Sequence, residues 1–413
     1  MILTKKQQEG LNTAVDRYKN KEAYTCIAGY AGTGKSTLIS FIIEALNLKH
    51  KEVAYVAFTG KAANILSQKG CPNATTAHKL LYHSKPLPDG RYIHEPKTTL
   101  DYQYKLLVVD EISMLPKEMW ELLLRHRIHI IACGDPEQLP PINPDMDNHV
   151  LDHPHVFLDE IMRQAAESEI IRLSMHVREG NPLETFQCDN QQVQVITKND
   201  VVTGMYEWAD QIICATNNTR VNINNNMRKL RGFGDAPQEN DKVISLSNHW
   251  DFFSTGHAPL TNGSIGYLKE FTVQSIYLPK YIYNGSLEAM IATVETEDKD
   301  IFTGLVLDYN FLMNNTKTLS PQQEYKLLKN KKYMDPPFDF TYGYAITCHK
   351  AQGSEWQKLL VFEEKFPFDK EEHRRWLYTA ITRASEKLVI VKKWKILWLI
   401  LSLLYDIIYI ERR

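Results

Sequence analysis

Apolar residues along the chain recur at two different spacings, and the two spacings alternate. Short apolar runs at 24–28, 53–58 and 106–109 predict buried strands. Stretches such as 3–18 and 38–46 instead place their apolar residues at helical spacing. Strands that alternate with helices in this way predict an open α/β fold with a largely parallel sheet.

The pattern changes further along the chain. A predicted buried strand at 211–218, which ends in polar residues, begins a second α/β alternation. Between 241 and 330, short alternating strands separated by turns are typical of a small β-barrel. The stretch 82–100 has hairpin turn chemistry around Asp89-Gly90. The predicted organisation is an α/β domain at 1–165 with a hairpin insertion at about 82–100, a second α/β domain at 166–240 and 331–393, a β-rich insertion at 241–330, and a tail at 394–413.

The tail is strongly apolar. Within 394–410 the non-apolar members are Lys395, Ser402 and Asp406. A membrane-spanning helix needs about 20 apolar residues, and an Asp near its centre costs about 2.5–3.5 kcal/mol. We therefore expect a packed or poorly ordered tail rather than membrane contact, and its role stays open.

Composition and charge narrow the class of protein. A chain of 413 residues is too long for one core, and 43% apolar with 24% charged residues is typical of a globular protein. The net charge of −2 excludes a strongly basic chain, so any nucleic acid must bind in a local groove. The 6 cysteines contain no C-x-x-C pair, which predicts reduced, buried thiols rather than a zinc site or a disulfide framework. Because the first residues also do not resemble a signal peptide, we expect a cytoplasmic protein.

A glycine-rich segment, GYAGTGKST, carries the most specific chemistry. It fits G-x4-G-K-[ST] and lies between a predicted strand and a predicted helix, as this motif requires. Its glycines let backbone N–H groups surround a phosphate at a helix N-terminus. Lys35 would reach the β- and γ-phosphates and the Ser36 hydroxyl would bind Mg²⁺, whereas the alternative is a chance glycine turn. The candidate nucleotide-binding residues here are Gly29, Ala31, Gly32, Thr33, Gly34, Lys35, Ser36 and Thr37.

Other polar residues are placed to complete a nucleotide site. Asp110 and Glu111 directly follow the strand at 106–109, and in a phosphate-loop ATPase such a pair holds the metal and polarises the attacking water. Gln138, after the predicted strand at 128–133, is placed to contact the γ-phosphate. The Gln7 amide could donate to and accept from an adenine edge, or Gln7 could be an ordinary exposed helix residue.

Further polar residues follow strands in both α/β parts. Open α/β sheets bind ligands at such strand ends, although each threonine could simply cap a helix. The hairpin-like stretch is predicted to be a small protrusion that carries Tyr92 and His94, and the alternative is a surface loop with no role. The candidate ligand contacts are Thr59, Lys61, Thr76, His78, Tyr92, Asn217, Thr347, His349 and Lys350.

The order of motifs over about 1–393 resembles that of superfamily-one helicases of the Dda/RecD type. These motifs are GYAGTGKST, FTGKAA, TTAHKL, VVDEISML, GDPEQLPP, YGYAITCHKAQGSEW and LYTAITRA. The resemblance implies two RecA-like parallel-sheet domains, with an SH3-like β-barrel inserted in the second. It also implies ATP and Mg²⁺ as cofactors, and 5′ to 3′ movement on single-stranded DNA driven by closure of the two domains.

The resemblance also implies individual roles. It makes the candidate ligand contacts above contacts to nucleic acid, and it makes the stretch 82–100 a strand-separating pin whose wedge is Tyr92, or alternatively Tyr82 or His94. Asp110 would hold the metal, Glu111 would act as the base and Gln138 would sense the γ-phosphate. Arg163 and Arg383 resemble arginine fingers, which suit the charge that develops on the γ-phosphoryl group. The nucleotide-binding residues that it adds are Gln7 and Glu355.

Two alternative functions fit parts of this pattern. One is a translocase or binding subunit of a larger recombination or nuclease complex, and the intact Lys35, Asp110 and Glu111 argue against a subunit that only binds. The other is a phosphate-loop kinase, against which the T-R-A and H-K-A-Q-G elements argue. We expect a monomer whose partners are single-stranded and forked duplex DNA, with proteins of replication, recombination or repair as further candidates.

Overall fold

The computed structural model describes residues 3–71, 73–86, 92–100, 102, 104–140, 147–162, 167–189, 191–255, 259–330, 333–365 and 369–392. Their contacts group the chain into two units. The first unit contains Met1–Ala165 and Asn224–Tyr344, and the second contains Ala166–Ile223 and Ala345–Arg413. The β-rich segment predicted at 241–330 therefore groups with the N-terminal residues, although it interrupts the second unit along the chain. The predicted tail lies outside the described residues.

The N-terminal part of the first unit alternates strands and helices as the sequence pattern predicts. Strands β2, β6 and β7 are buried along their whole length, which explains why they are continuous apolar runs rather than alternating ones. In chain order the elements are α1 (Lys5–Lys19), β1 (Tyr24–Gly29), α2 (Lys35–Ala45), β2 (Val53–Ala57), α3 (Gly60–Gln68), β3 (Ala74–Thr76), α4 (Ala77–Leu81), β4 (Tyr82–Pro86), β5 (Tyr92–Pro96), β6 (Leu106–Val109), α5 (Lys117–Arg125), β7 (His129–Gly134) and β8 (Val156–Leu158).

Six of these strands form one sheet in the order β3-β2-β6-β7-β1-β8. All of its neighbouring pairs are parallel. Helices α1 and α2 pack with one buried apolar cluster, and α4 and α5 pack with another. The sheet is thus covered on both faces, and the carboxyl ends of β1, β6 and β7 share one edge.

Strands β4 and β5 form the antiparallel hairpin that the turn chemistry predicts. Their register runs from Tyr82 opposite Pro96 to Pro86 opposite Tyr92. Residues 87–91, which contain the predicted Asp89-Gly90 turn, lie outside the described residues.

The β-rich part of the first unit is antiparallel. Its main sheet has the order β16-β15-β14-β11-β17, and β12 pairs with β13. An isolated bridge between Leu307 and Phe338 links the two edges of the main sheet. The elements here are β11 (Lys242–Ser245), β12 (His249–Phe253), β13 (Pro259–Leu260), β14 (Ile265–Tyr277), β15 (Ser286–Thr296), β16 (Ile301–Asp308), α9 (Tyr309–Asn314), α10 (Pro321–Lys329) and β17 (Phe340–Tyr342).

The second unit also contains a parallel sheet, in the order β18-β10-β19-β20-β9. Cys214 at the end of β10 pairs with Thr347 at the end of β18, so the polar residues that follow these strands meet at one edge. The elements are α6 (Glu169–Arg178), β9 (Val193–Thr197), α7 (Thr203–Trp208), β10 (Gln211–Cys214), α8 (Asn217–Leu230, which continues into the first unit), β18 (Ala345–Thr347), α11 (Cys348–Ala351), β19 (Trp356–Phe362), α12 (Lys370–Ile381) and β20 (Ala384–Lys392).

The cysteines follow the prediction in part. All six are free thiols. Burial raises the pKa of Cys26 to about 12, so that thiol stays protonated. The prediction of burial is wrong for Cys188, which is exposed in a loop, and Cys71 is half-buried. In the part of the chain that the structure describes, no helix is both long and apolar enough to cross a membrane.

Candidate nucleotide and nucleic-acid sites

The glycine loop joins β1 to α2 in a conformation that requires glycine at two positions. Gly32 has φ +77° and Gly34 has φ +79°, both in the left-handed region. Helix α2 then begins at Lys35, whose Nζ donates to the carbonyl oxygens of Gly29 at 2.6 Å and Tyr30 at 3.0 Å. The ammonium therefore lies over the loop, where phosphate oxygens would compete with these carbonyls for its protons.

Gln7 supports this loop from helix α1. Its side chain is 1% exposed, so the alternative of an exposed helix residue is wrong. Gln7 Nε2 donates to the Thr33 carbonyl oxygen at 3.1 Å, and Gln7 Oε1 accepts from the Thr4 N–H at 3.0 Å. A Cβ added to Gly34 would lie 2.5 Å from Gln7 Nε2. The pair Thr4-x-x-Gln7 is a capping box, a sequence signal that predicts the start of α1 at this point.

The two carboxylates follow β6 in a strained turn. Asp110 Oδ1 accepts from the Glu111 N–H at 3.0 Å. Glu111 has φ +48°, which for a residue with a Cβ costs about 1–3 kcal/mol and is concentrated at functional sites. The 3₁₀ turn Ile112–Met114 holds this conformation, since the Met114 N–H donates to the Glu111 carbonyl oxygen at 2.9 Å.

Gln138 lies in the turn after β7, at the same sheet edge. Gln138 is 9% exposed, and its buried Oε1 accepts no hydrogen bond from any described residue. An unsatisfied buried acceptor costs about 1–3 kcal/mol, so Gln138 would gain from a donor brought by a ligand or a water molecule.

These residues fit a nucleotide with Mg²⁺. The Ser36 hydroxyl group is on an exposed residue at the start of α2, and Asp110 directly follows β6 at the same edge. Within the described ranges no three or more His, Cys, Asp or Glu residues are grouped to hold a metal by themselves. A single carboxylate with a hydroxyl group suits Mg²⁺, which takes its other ligands from phosphate and water.

Two of the threonines that are predicted to contact nucleic acid, Thr59 and Thr76, are N-caps of helices. The Thr59 hydroxyl accepts from the Ala62 N–H at 3.2 Å, and the Thr76 hydroxyl accepts from the Lys79 N–H at 3.3 Å. Thr76 is 1% exposed, which leaves little of it for a nucleic acid to contact. The capping alternative is therefore observed for both.

Lys61 packs against the β-rich part of the first unit. Its side chain is 15% exposed, and its Nζ lies 4.0 Å from Glu297 Oε2. Lys242 shares this carboxylate, with its Nζ 2.7 Å from Glu297 Oε1. Burial lowers the pKa of Lys61, and the charge of Glu297 partly offsets this effect. Next to it, a Cβ on Gly60 would lie 2.4 Å from Thr261 Cβ, so the packing is close.

Rings gather at the base of the hairpin. His78 lies 6.0 Å from Tyr82 and 5.8 Å from His94, measured between ring centroids. Burial, and then the neighbouring His94, lower the pKa of His78, which favours the neutral imidazole. Such rings suit base stacking. Tyr92 lies opposite Pro86 next to the turn, and its role as the wedge stays a prediction.

In the second unit, the polar residues predicted from the sequence lie at the carboxyl edge of the sheet. Thr347 ends β18, His349 and Lys350 lie on α11, and Asn217 begins α8. Sequence reasoning missed Arg220, whose Nε donates to Asn217 Oδ1 at 3.3 Å. Its position three residues after Asn217 on one helix was the signal that could have identified it.

Glu364 fixes the turn that presents Asn217. Its Oε2 accepts from the N–H groups of Ala215 at 2.6 Å and Thr216 at 2.9 Å. Its Oε1 accepts from the Thr216 hydroxyl at 3.1 Å. The carboxylate after β19 therefore ties the end of β10 to the start of α8.

Of the two proposed arginine fingers, Arg383 lies within the residues that the structure describes. Arg383 is 7% exposed and donates to the carbonyl oxygens of Thr379 at 3.2 Å and Ser354 at 3.4 Å, both in the second unit. Glu355 is exposed beside Ser354. Arg163 lies outside the described residues. The nucleotide roles of all three stay predictions.

Comparisons with known proteins agree with this geometry. Residues 3–200 match the AAA domain family, and residues 342–391 match the UvrD-like helicase C-terminal domain. The ATP-dependent RecD2 DNA helicase of Deinococcus radiodurans is 26% identical over 379 residues, which cover 87% of this chain and 46% of that protein. The ATP-dependent DNA helicase dda of Enterobacteria phage T4 is 33% identical over 147 residues, 34% of each chain. Over most of its length the chain is therefore similar to a protein named as an ATP-dependent DNA helicase.

The fold of the chain also matches a solved structure. The crystal structure of Pif1 helicase from Bacteroides in complex with ADP-AlF3 and ssDNA has a TM-score of 0.54 and 17% identity, and the match covers 95% of this chain and 93% of that one. This likeness supports the RecA-like α/β core. The chain spans less than half the length of the two curated relatives above.

The two family matches divide the candidate residues between them. The AAA match includes the glycine loop, Asp110, Glu111 and Gln138. The UvrD-like match includes His349, Lys350 and Arg383. The residues at 224–341, which include the β-rich part, belong to neither match.

Proposed function

We propose that this chain is an ATP-dependent DNA helicase that moves 5′ to 3′ on single-stranded DNA and separates duplex DNA at a fork. The observation that carries the proposal is the set of phosphate-loop residues, Asp110, Glu111 and Gln138 at one sheet edge, in a chain that also matches the UvrD-like helicase C-terminal domain. The RecD2, dda and Pif1 proteins are named as DNA helicases, which supports the same activity here.

The nucleotide-binding residues would divide the work of hydrolysis. Lys35 would bind the β- and γ-phosphates, and Ser36 with Asp110 would hold Mg²⁺. The metal supplies charge neutralisation on these phosphates when bound. Glu111 would accept a proton from the attacking water, and the unsatisfied Gln138 Oε1 would orient that water. Arg383 and Arg163 would stabilise the charge on the γ-phosphoryl group.

Single-stranded DNA would bind through phosphate contacts and ring stacking. His349, Lys350 and Asn217 are candidates in the second unit, and the rings around His78 are candidates in the first. The solved Bacteroides Pif1 complex contains single-stranded DNA and ADP-AlF3, which supports both classes of ligand. Phosphate contacts release counterions, so we expect affinity for DNA to fall as salt rises.

The finer architecture is also part of this proposal. We take the β-rich segment as SH3-like, which the Leu307–Phe338 bridge between the sheet edges supports. We take the protein to act as a cytoplasmic monomer on single-stranded and forked DNA, in replication, recombination or repair.

Stimulated ATP hydrolysis tests the proposal most directly. Steady-state turnover is measured without nucleic acid, with single-stranded DNA and with RNA of the same sequence, and Lys35→Ala serves as the control for a contaminating ATPase. We expect DNA to stimulate the wild-type protein. Strand separation is then followed on duplexes with a 5′ or a 3′ single-stranded tail, and we expect activity with the 5′ tail.

The same experiment separates the helicase from its alternative. Stimulated hydrolysis with no strand separation on either tail would favour a translocase subunit of a larger complex. Unstimulated hydrolysis with no binding of single strands would refute both.

A further inference from the structure

Two cations meet at the carboxyl edge of the second sheet. Helix α8 begins shortly after β10, and α11 begins directly after β18, its neighbour in the sheet. This register brings Arg220 of α8 and Lys350 of α11 to the same edge. The two are close enough that Arg220 helps to lower the pKa of Lys350, after the larger effect of burial.

No acid explains the position of the guanidinium group. Among the residues that the structure describes, no carboxylate lies within ion-pair distance of Arg220, and its Nε donates to the neutral Asn217 side chain at 3.3 Å. The carboxylate of Glu364 also lies at this edge, and its oxygens accept from Ala215, Thr216 and Thr219 instead. A partly buried guanidinium group without an acidic partner among the described residues is a position where a bound anion would be stabilising.

We propose that Arg220 and Lys350 together bind one backbone phosphate of single-stranded nucleic acid, with Asn217 orienting the guanidinium group. This inference rests on the proposed function and adds to it a binding residue that neither the motifs nor the family matches assign. A guanidinium group presents paired N–H donors that fit a phosphate, and Arg220 keeps its charge at neutral pH. Because such a contact reads no base, its contribution is independent of sequence.

The test measures binding of a fluorescent oligothymidylate and of a mixed-sequence strand by anisotropy at several salt concentrations. Arg220→Gln should weaken both by about tenfold, the lower end of what a hydrogen bond to a charged group contributes. It should also reduce the slope of log K against log salt by about 0.7, the loss of one phosphate contact. Arg220→Lys, which keeps the charge, should lose less.

The matched control is Lys387→Gln. Lys387 is exposed in the same unit. In the strand register it lies opposite Lys358, near the amino ends of β20 and β19 and away from the carboxyl edge. We expect its affinity and salt slope to equal those of the wild-type protein. Unchanged circular dichroism for each variant excludes misfolding as the cause of a loss.

A double variant tests whether the two cations share one phosphate. If they do, Arg220→Gln with Lys350→Gln loses less affinity than the product of the single losses. Independent losses would refute the shared phosphate. Loss of ATP turnover without loss of DNA affinity in Arg220→Gln would overturn the proposal and make Arg220 a nucleotide contact. Wild-type protein that binds no single strand would refute the proposed function as well, whereas equal affinities of wild type and Arg220→Gln refute this inference alone.

Discussion

Replacing Gly34 with alanine tests how the glycine loop is supported. Two costs add at this position. With φ at +79°, alanine is forced into a left-handed conformation that costs about 1–2 kcal/mol. Its Cβ would also lie 2.5 Å from Gln7 Nε2, closer than two such atoms approach, so the Gln7 amide must move.

The second cost is the larger one. Gln7 is buried, and the displaced amide would lose its hydrogen bond to the Thr33 carbonyl oxygen. A buried polar group left without its partner costs about 1–3 kcal/mol. Gly34→Ala should therefore destabilise the loop and α1 by about 2–5 kcal/mol in total.

Hydrogen exchange of peptides from α1 and α2 measures this locally, which suits a chain of two units better than a single unfolding midpoint. Gly70→Ala is the matched control, because Gly70 lies in the same unit with φ +90° and a Cβ there would meet no heavy atom within 4 Å. It should show only the backbone cost.

A double-variant cycle isolates the contact. In a Gln7→Ala background the clash is absent, so adding Gly34→Ala should cost no more than Gly70→Ala does. If Gly34→Ala and Gly70→Ala cost the same in the wild-type background, the Gln7 amide does not support the loop and the reasoning fails.

Four further results are expected. Lys35→Ala should abolish ATP turnover while retaining single-strand affinity, and near-normal hydrolysis would remove the phosphate-loop assignment. Glu111→Gln should bind a fluorescent ATP analogue normally but hydrolyse ATP at least about a hundredfold more slowly, since general-base catalysis contributes about 10²–10⁴-fold. An equal loss of nucleotide binding would contradict that division of roles. Tyr92→Ala should reduce unwinding of a forked duplex far more than DNA-stimulated ATPase, and equal losses would show that Tyr92 is not the wedge. Lys61→Gln should weaken single-strand binding less than Lys350→Gln does, and the reverse order would show that Lys61 leaves Glu297 when DNA binds.

The sequence predicts the sheet edge well, because that edge depends on local patterns. Strands β1, β2, β6 and β7 of the first sheet are short apolar runs, and parallel order brings the ends of β1, β6 and β7 together whatever lies between them. The chemistry of Lys35, Asp110 and Gln138 could be predicted in the same way, since each follows its strand within a few residues.

Contacts between distant segments could not be predicted. Lys61 and Glu297 are far apart in the chain, and no periodicity links the α3 helix to the β15 strand that ends just before Glu297. The grouping of Asn224–Tyr344 with the N-terminal residues depends on such contacts. For Thr59 and Thr76 the sequence favoured capping for each residue taken alone and left binding open, and the structure shows the hydrogen bonds of both caps.

The ion pair between Lys61 and Glu297 affects how much the predicted DNA contacts of the first unit should contribute to DNA affinity, compared with those of the second unit. A phosphate at Lys61 must compete with Glu297, which Lys242 holds in place at 2.7 Å, so the gain from binding is offset by a broken ion pair. Arg220 has no such pair among the described residues, so a phosphate there adds an interaction without removing one. Burial in a folded protein thus works against the nucleic-acid role of one predicted cation and favours that of a cation which the motifs do not include. For this reason the second sheet, rather than the α3 helix, is where we expect most of the salt-dependent affinity for single strands to originate.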